Sequence, residues 1–348
     1  MREQAASFCR GQLPRVSRTF ALNIPLLPEP LDLAVTAAYL LCRIADTVED
    51  ESPGGHQGAL LDELAALVSL EPGWEARARS FARKARLALR DEAPPAEAEL
   101  ISDTETVLET LASLPSWVHP PIARCVRTMT GGMNQIQRLH GGSGQVMGLP
   151  DLQATFMYCY YVAGVVGEML TGLFVASAPR VVWREAWLMP RASAFGRALQ
   201  LTNILKDVRE DLDRGTCWLP RDRMAAHGLT PATLVLPSLR ARAVALMDEL
   251  VAVTRRELDV ALEYSLALPA EEPGLRLFCL YPLFFAAATL NAVEGNPAVL
   301  DPEPVKIRRE TVEMLMRLTQ ERVGSDDDLR ALYARCAGAP SGGGEAWR

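Results

Sequence analysis

The stretch YLLCRIADTVEDE at residues 39–51 combines an apolar helix with a group of acidic side chains. Apolar residues recur at three- and four-residue spacing from residue 31 to residue 51, which predicts an amphipathic helix. On that helix Asp46 and Asp50 lie one turn apart on the same face, with Glu49 between them in the sequence. Like charges at this spacing destabilise a helix by a few tenths of a kcal/mol, and a bound metal ion would offset their repulsion. A solvated helix end is the alternative interpretation.

A second acidic stretch, LQLTNILKDVREDLDRG at 199–215, has the same character. Asn203, Asp207 and Asp211 follow one another at four-residue spacing and so lie along one helix face, with Gln200 beside them. Oxygen ligands in this arrangement suit Mg²⁺, which shares its remaining positions with water and substrate phosphates. Two such faces could hold a diphosphate between bridging metal ions, with basic side chains contacting its oxygens. The basic candidates are Arg18, Arg43, Lys206 and Arg209.

Helical periodicity continues outward from these two stretches, and alternating β patterns are scarce. The breaks are short and contain proline or glycine, and none is long enough to be a domain linker. The sequence therefore predicts one all-α domain at residues 1–335 and a flexible tail at 336–348, with a kink or split at Pro190. The predicted helices are 31–51, 58–70, 74–91, 98–114, 119–140, 151–176, 183–213, 239–267, 274–294 and 308–323.

Composition narrows the class of protein. The 348 residues are 49% hydrophobic and 23% charged, as in globular proteins, and the net charge of −7 argues against a nucleic-acid binder. Seven scattered cysteines without a CxxC pair predict buried free thiols in a reducing compartment. The N-terminus lacks the apolar stretch of a signal peptide, and no uninterrupted apolar run of about 18 residues occurs. We therefore expect a cytoplasmic protein.

The first acidic stretch, YCYYVAGVVGEML at 158–170 and the second acidic stretch follow one another along the chain. In this order and spacing they resemble the squalene/phytoene synthase family of head-to-head prenyl synthases. The resemblance runs from SRTFAL at 17–22 to VKIRRE at 305–310. It implies an all-α isoprenoid-synthase fold with a central cavity, Mg²⁺ and two farnesyl or geranylgeranyl diphosphates. One diphosphate would leave, and the allylic cation would attack the other substrate to form a cyclopropylcarbinyl diphosphate.

The resemblance also implies roles for individual residues. The metal ligands would be Asp46, Glu49, Asp50, Asn203, Asp207 and Asp211. The residues at the substrate would be Ser17, Arg18, Phe20, Ala163, Gly164, Gly167 and Gln200. The catalytic group would comprise Tyr39, Arg43 and Tyr158.

Two of these assignments have a structural alternative. The phenol of Tyr158 could stabilise a carbocation and move a proton, or Tyr158 could be a packed core residue. The small residues Ala163, Gly164 and Gly167 would let a polyprenyl tail lie against the helix, or would serve close helix packing. The chain also departs from the family pattern, because Thr216 stands where many relatives carry an arginine and Lys206 where arginine is common.

The segment PVKIRRETVEML at 304–315 bears on the product. It resembles a stretch whose basic residues approach NADPH in squalene synthases, so Lys306 and Arg308 are expected to contact the cofactor's phosphates; a solvated basic helix start is the alternative. We therefore expect farnesyl diphosphate to be condensed to presqualene diphosphate and reduced with NADPH to squalene. A phytoene, dehydrosqualene or presqualene-diphosphate synthase without hydride transfer is the alternative enzyme.

A non-catalytic relative would be expected to lose its metal carboxylates, and both sets are present here. Release of a hydrocarbon product also predicts peripheral membrane contact. The nearest candidate is ARARSFARKARLALR at 76–90, for which a solvated helix face is the alternative.

Overall fold

A computed structural model describes residues 2–17, 19–52, 55–140 and 146–338, and in these residues it contains helices and no β-strand. The predicted all-α class is therefore confirmed. A π-helical segment, Tyr160–Gly164, joins α9 to α10. The α-helices are α1 Arg2–Val16, α2 Phe20–Asn23, α3 Leu31–Glu51, α4 Gln57–Leu67, α5 Trp74–Ala88, α6 Pro95–Ser102, α7 Thr104–Ser113, α8 His119–His140, α9 Leu152–Cys159, α10 Val165–Ser177, α11 Pro179–Val182, α12 Glu185–Lys206, α13 Val208–Asp213, α14 Arg221–Ala226, α15 Arg240–Ala267, α16 Pro273–Val293, α17 Arg309–Arg322 and α18 Asp326–Cys336.

Two predicted helices are divided differently in the structure. The segment 98–114 forms two helices, α6 and α7, which meet at Asp103. The predicted split at Pro190 is absent, because α12 continues through this proline and ends at Lys206. Pro190 lies near the start of α12 and removes a single intrahelical hydrogen bond there, a loss the rest of the helix tolerates.

The described helices end with α18 at Cys336. Of the predicted tail at 336–348, residues 339–348 lie outside the described residues. The boundaries of the predicted domain stay a prediction. All seven cysteines are buried and free, as predicted. Burial raises the pKa of the Cys9 thiol to about 11.

The chain divides into two compact units. The first comprises residues 1–138 and 168–185, and its central helix is α3, which packs against α1, α4 and α7. Leu40, Leu41 and Ile44 of α3 are fully buried, so its apolar face forms the core of this unit. This packing leaves the opposite side of α3 for polar side chains.

The second unit comprises residues 139–167 and 186–348. Its central helix is α16, which packs against α15, α17 and α18. Two helical stretches of the described chain, Leu152–Ser177 and α16, are long and apolar enough to span a membrane. Within α16 the apolar window is 89% buried inside the protein, which is the burial of a core helix.

A buried arginine joins helix ends in the second unit. Arg276 is 2% exposed, and its guanidinium donates hydrogen bonds to the carbonyl oxygens of Leu266, Leu268 and Val323 at 2.8, 2.9 and 2.6 Å. It also pairs with the carboxylate of Asp326. Because a buried charge is tolerated only when its donors are satisfied, these acceptors fix the ends of α15, α17 and α18 around α16.

Candidate active site

In the first unit, a short chain of hydrogen bonds orders the polar side of α3. Arg43 Nη2 donates to the Tyr39 hydroxyl oxygen at 2.9 Å, and that hydroxyl donates to the Val16 carbonyl oxygen at 3.2 Å. Arg43 Nη1 lies 4.0 Å from Asp46 Oδ2. The i, i+3 and i, i+4 spacing of a helix makes this alignment possible. Arg43 is thereby held beside the first acidic motif.

The segment before α2 meets the same polar side. The Phe20 amide donates to Ser17 Oγ at 3.0 Å, which fixes the start of α2. The Phe20 ring lies 5.3 Å from the Tyr39 ring, centroid to centroid. The structure thus brings Ser17, Phe20, Tyr39 and Arg43 into one group. Arg18 lies outside the described residues.

The carboxylates of the first motif are electrostatically strained. Asp46 keeps 33% of its side chain exposed, yet burial raises its pKa to about 7, with Asp50 and Glu97 adding to the rise and Arg43 opposing it. Burial likewise raises the pKa of Glu49 well above its ordinary value, and the neighbouring carboxylates of Asp50 and Asp46 raise it further. Glu49 Oε1 is buried without a hydrogen-bond donor. A divalent cation fits this set, because it would give the buried Glu49 Oε1 a positive partner.

Glu97 is a fourth carboxylate near this motif, and it was not predicted from the sequence. It lies in the first turn of α6, and its Oε2 accepts a hydrogen bond from the Thr47 hydroxyl at 3.0 Å. The only local signal is an acidic residue after Pro94-Pro95, which marks a helix start and indicates no particular chemistry. Its contribution comes from the packing of α6 against α3.

In the second unit, the second acidic motif crosses the junction between α12 and α13. Asp207 is the junction residue, with φ −102° and ψ 13°. Its amide still donates to the Asn203 carbonyl at 2.8 Å, and the Asp211 amide donates to the Asp207 carbonyl at 2.9 Å. These i→i−4 bonds keep the helical repeat across the junction, so the three residues remain stacked on one side. Gln200 is half-buried one turn before them.

Basic side chains accompany this motif. Lys206 pairs with Asp207, and Arg209 pairs with Asp213 at 3.0 Å. Thr216 closes the motif: its amide and its hydroxyl both donate to the Asp211 carbonyl oxygen, at 2.8 and 3.0 Å. An arginine at position 216 could not make the second bond in this way. The departure from the family pattern therefore has a structural role, which is to fix the turn after Asp211.

Tyr158 lies at the end of α9 and is 5% exposed. Its ring stacks on the indole of Trp218, with centroids 3.9 Å apart and planes inclined by 7°. The π-helical segment that follows is a deviation of the kind often found at functional sites. Neither Trp218 nor the π-helical segment was identified from the sequence, since the stack joins residues 60 positions apart and periodicity does not distinguish a π turn from an α turn.

The small residues after Tyr158 pack against α12. A Cβ atom on Gly167 would lie less than 3.0 Å from the carbonyl oxygen of Ala192, and one on Gly196 less than 3.0 Å from that of Ala163. A Cβ atom on Gly164 would lie 2.9 Å from the Tyr160 ring. Of the two interpretations of the small residues, these distances support close helix packing. Contact of Ala163, Gly164 and Gly167 with a prenyl tail stays a prediction.

The two predicted cofactor residues lie on the surface of the second unit. Lys306 and Arg308 are exposed on an irregular segment that leads into α17, and Arg308 is the residue before its first turn. A basic pair at a helix N-terminus suits phosphate groups. Exposure is equally the property of a solvated helix start, so their role stays a prediction.

Among the residues the structure describes, no three His, Cys, Asp or Glu side chains are arranged to hold a metal ion on their own. Mg²⁺ commonly binds through one or two carboxylates and completes its coordination with water and substrate phosphates. Sparse carboxylate ligands fit that mode better than a closed protein site.

The squalene/phytoene synthase family model matches residues 13–311, which is most of the chain. The chain belongs to this family. It is 26% identical to a squalene synthase of Gibberella zeae over 319 residues, covering 90% of this chain and 64% of the relative. It is 28% identical to a squalene synthase of Schizosaccharomyces pombe, covering 86% and 62%. The chain therefore spans just under two thirds of the length of these relatives.

The family fold is also seen in solved structures. A structure of TcSQS with a bound ligand superimposes with a TM-score of 0.78 at 24% identity, covering 99% of this chain and 94% of that one. At this identity the likeness shows the fold. The isoprenoid-synthase fold that the family resemblance implied is confirmed.

Proposed function

We propose that this protein is a squalene synthase, a Mg²⁺-dependent prenyltransferase that condenses two farnesyl diphosphates to presqualene diphosphate and reduces it with NADPH. The observation that carries the proposal is the strained carboxylate set of α3, with Glu49 Oε1 buried without a donor. A bound cation would neutralise these carboxylates and stabilise their charged form. The stacked oxygens of the second motif supply a second set of the same chemistry.

The two acidic motifs would bind metal, and neighbouring basic residues would contact the diphosphate. Asp46, Glu49 and Asp50 would hold metal in the first unit, and Asn203, Asp207 and Asp211 in the second. The bound Mg²⁺ would supply charge neutralisation to the departing diphosphate. Lys206 and Arg209 would contact diphosphate oxygens beside the second motif.

Side chains that bind no metal would orient the substrates and stabilise the carbocation. Arg43, ordered by the Tyr39 hydroxyl, would orient a diphosphate beside α3. The π face of Tyr158 would stabilise the allylic cation, and its hydroxyl would relay the proton released when the cyclopropane ring closes. Ser17, Arg18, Phe20 and Gln200 would line the substrate. Lys306 and Arg308 would bind the phosphates of NADPH, which would supply the hydride for the reductive half-reaction.

Product analysis tests the proposal. Purified protein with farnesyl diphosphate and Mg²⁺ is expected to give squalene only when NADPH is present, as measured by mass spectrometry. Dehydrosqualene, or phytoene when geranylgeranyl diphosphate is supplied in place of farnesyl diphosphate, would identify one of the unreduced alternatives. Presqualene diphosphate accumulating in the presence of NADPH would identify a presqualene-diphosphate synthase. No prenyl transfer with either 15- or 20-carbon substrates would contradict the enzyme assignment.

Charge reversal separates the two half-reactions. Lys306→Glu and Arg308→Glu are expected to abolish reduction while presqualene diphosphate still forms, because only the second step uses NADPH. Arg309→Glu is the matched control: its side chain is 88% exposed and pairs with Glu313. An equal effect of all three changes would show a general loss of surface charge and no cofactor site.

We also propose that the enzyme is cytoplasmic and contacts membranes peripherally, so that squalene can leave. The support comes from Trp183, which is 91% exposed beside Val182 at 44%, with Arg180 and Arg184 on either side. Tryptophan and arginine together suit the interface of an anionic bilayer. The earlier candidate at 76–90 is less suited, because the apolar face of α5 is buried and only Leu87 projects.

Flotation with vesicles containing phosphatidylglycerol tests this surface. Trp183→Ser is expected to reduce vesicle binding, whereas Leu87→Ser, which removes another exposed apolar side chain of the same unit, leaves it unchanged. Equal binding of both variants and the unchanged protein would contradict a role for Trp183.

A further inference from the structure

Trp218 lies in the loop that follows the second acidic motif, and both ends of this loop are tied down. At its start, the amide and hydroxyl of Thr216 donate to the Asp211 carbonyl oxygen. At its end, Leu149 and Pro220 form a parallel bridge, and the Arg221 amide donates to the Leu149 carbonyl at 2.7 Å. The loop has few residues left to move between these two attachments. The position of Trp218 is therefore set by the backbone.

A glycine makes the second attachment possible. A Cβ atom on Gly148 would lie less than 3.0 Å from the Leu219 carbonyl oxygen and from Met224 Cε. Any larger residue at this position would push the loop away from the segment before α9. The close approach of the two backbones thus depends on the absence of a side chain at Gly148.

The loop ends up over α9. The Trp218 carbonyl oxygen accepts a hydrogen bond from the Thr155 hydroxyl at 3.3 Å, and the Trp218 indole covers a face of Tyr158, one turn further along α9. Aromatic pairs usually lie with centroids about 4.5–7 Å apart and prefer offset or edge-on geometry. Here the centroids are 3.9 Å apart and the rings nearly parallel. Since the rings alone do not favour so close a stack, the loop attachments hold them together.

We propose that Trp218 is a positioning residue for Tyr158: the indole fixes the phenol ring in the orientation required at the carbocation and ties it to the turn after Asp211. This inference rests on the proposed function, in which Tyr158 meets the cation. A stacked indole also enlarges the polarisable surface behind the phenol, and indole is the aromatic group with the strongest cation–π interaction. The same turn that closes the second acidic motif thereby sets the catalytic tyrosine.

Kinetics give the first test. Trp218→Leu is expected to lower kcat for presqualene diphosphate formation about tenfold while KM for farnesyl diphosphate changes by less than about twofold, since the stack acts on the reacting cation and not on diphosphate binding. Trp218→Phe keeps an aromatic face and is expected to restore most of the rate. Trp117→Leu, which removes a half-buried tryptophan of the first unit, is the control and should leave both constants unchanged.

A spectroscopic measurement tests the positioning without any turnover. The seven tyrosines are replaced by 3-fluorotyrosine, and the ¹⁹F signal of Tyr158 is identified by its loss in Tyr158→Phe. Trp218→Leu should shift this signal by removing the ring current of the indole, Trp218→Phe should shift it less, and Trp117→Leu should leave it in place. Far-UV circular dichroism confirms that each variant is folded; if Trp218→Leu is unfolded, Trp218→Phe carries the comparison.

The outcomes are distinguishable. An unshifted Tyr158 signal in folded Trp218→Leu, or a shifted signal with unchanged kcat, would overturn the inference. A protein that does not convert farnesyl diphosphate, but whose Tyr158 signal depends on Trp218, would overturn the proposed function and support the contact between the two rings. A rise in KM with kcat unchanged would place Trp218 in substrate binding and overturn the positioning role.

Discussion

The two acidic motifs have the same four-residue spacing and different surroundings. The first lies within the unbroken helix α3, where burial and neighbouring carboxylates raise the pKa of Asp46 to about 7 and leave Glu49 Oε1 without a donor. The second crosses the junction between α12 and α13, where Asp207 pairs with Lys206 and Thr216 closes the turn. The first set contains a buried carboxylate oxygen without a donor, whereas Asp207 of the second set pairs with a lysine.

The two regions are also positioned by different means. Leucine and isoleucine side chains anchor α3, whereas α12 approaches the π-helical segment so closely that Gly167 and Gly196 leave no room for a Cβ atom. Similar spacing in a sequence thus does not imply similar electrostatics or similar tolerance to substitution. The following changes test how far the two regions differ.

Removing a carboxylate of the second motif should have the largest effect. Asp207→Asn is expected to lower kcat/KM for farnesyl diphosphate by about a hundredfold or more, because metal coordination contributes several kcal/mol to transition-state stabilisation. Steady-state kinetics at saturating Mg²⁺ measure it. Glu210→Gln, which removes an exposed carboxylate of α13 outside the stacked line that pairs with Arg214, is the control; an equal loss there would mean that α13 responds to charge in general.

Gly167→Ala should test the close packing of α12. The added methyl group meets the Ala192 carbonyl oxygen, and overpacking of this kind costs about 1–3 kcal/mol in the free energy of unfolding. Urea denaturation provides the measurement. Gly131→Ala in α8, where nothing beyond the neighbouring backbone of the same helix lies within 4 Å of the new methyl group, should leave stability unchanged or raise it by up to about 1 kcal/mol. Equal stability of the two variants would contradict the close approach.

The electrostatic strain of the first motif should appear as a pH dependence of the metal-free protein. Asp46 has a pKa of about 7 in the folded protein against 3.8 as its ordinary value, so the folded state binds more protons between these values and loses stability as pH rises through them. From about pH 5 to about pH 8, Tm in EDTA should fall by about 2–4 °C more for the unchanged protein than for Asp46→Asn. Parallel curves would show that Asp46 is not strained.

Thr216→Val should have the smallest effect. It removes one of the two hydrogen bonds to the Asp211 carbonyl oxygen, an interaction worth about 1 kcal/mol, so kcat/KM should fall about three- to fivefold. Thr216→Ser keeps the hydroxyl and should restore the value. Failure of serine to do so would assign the effect to the methyl group and its packing.

Strong local patterns were sufficient to predict much of this molecule. The bounds of α3 agree with the prediction residue by residue, because uninterrupted apolar periodicity determines it. The second motif kept its stacking although its helix ends at Lys206, since the i→i−4 bonds continue across Asp207. Where periodicity was weak or proline intervened, the prediction was poorer: α1, which contains Pro14, was not predicted.

Other features depend on local or distant contacts that the sequence analysis did not use. Helix α18 was not predicted, although its sequence contains a helix-start signal. Ser325 caps the helix, and acidic residues occupy its first turn. Glu97 and Trp218 act through residues about 50 to 60 positions away, and no spacing rule reports such contacts. The fold and the two acidic stretches could be recognised from the sequence pattern, whereas the surroundings of each acidic side chain could not.

The buried guanidinium of Arg276 sets a limit on truncation. The family match ends at residue 311, yet two acceptors of Arg276, the carbonyl of Val323 and the carboxylate of Asp326, lie beyond it. A protein shortened to the family-matching segment would lose these two acceptors together with most of α17 and all of α18, the helices that pack against α16, at a cost of several kcal/mol in the free energy of unfolding. The residues after 311 thus belong to the same folding unit as α16, at least as far as Asp326.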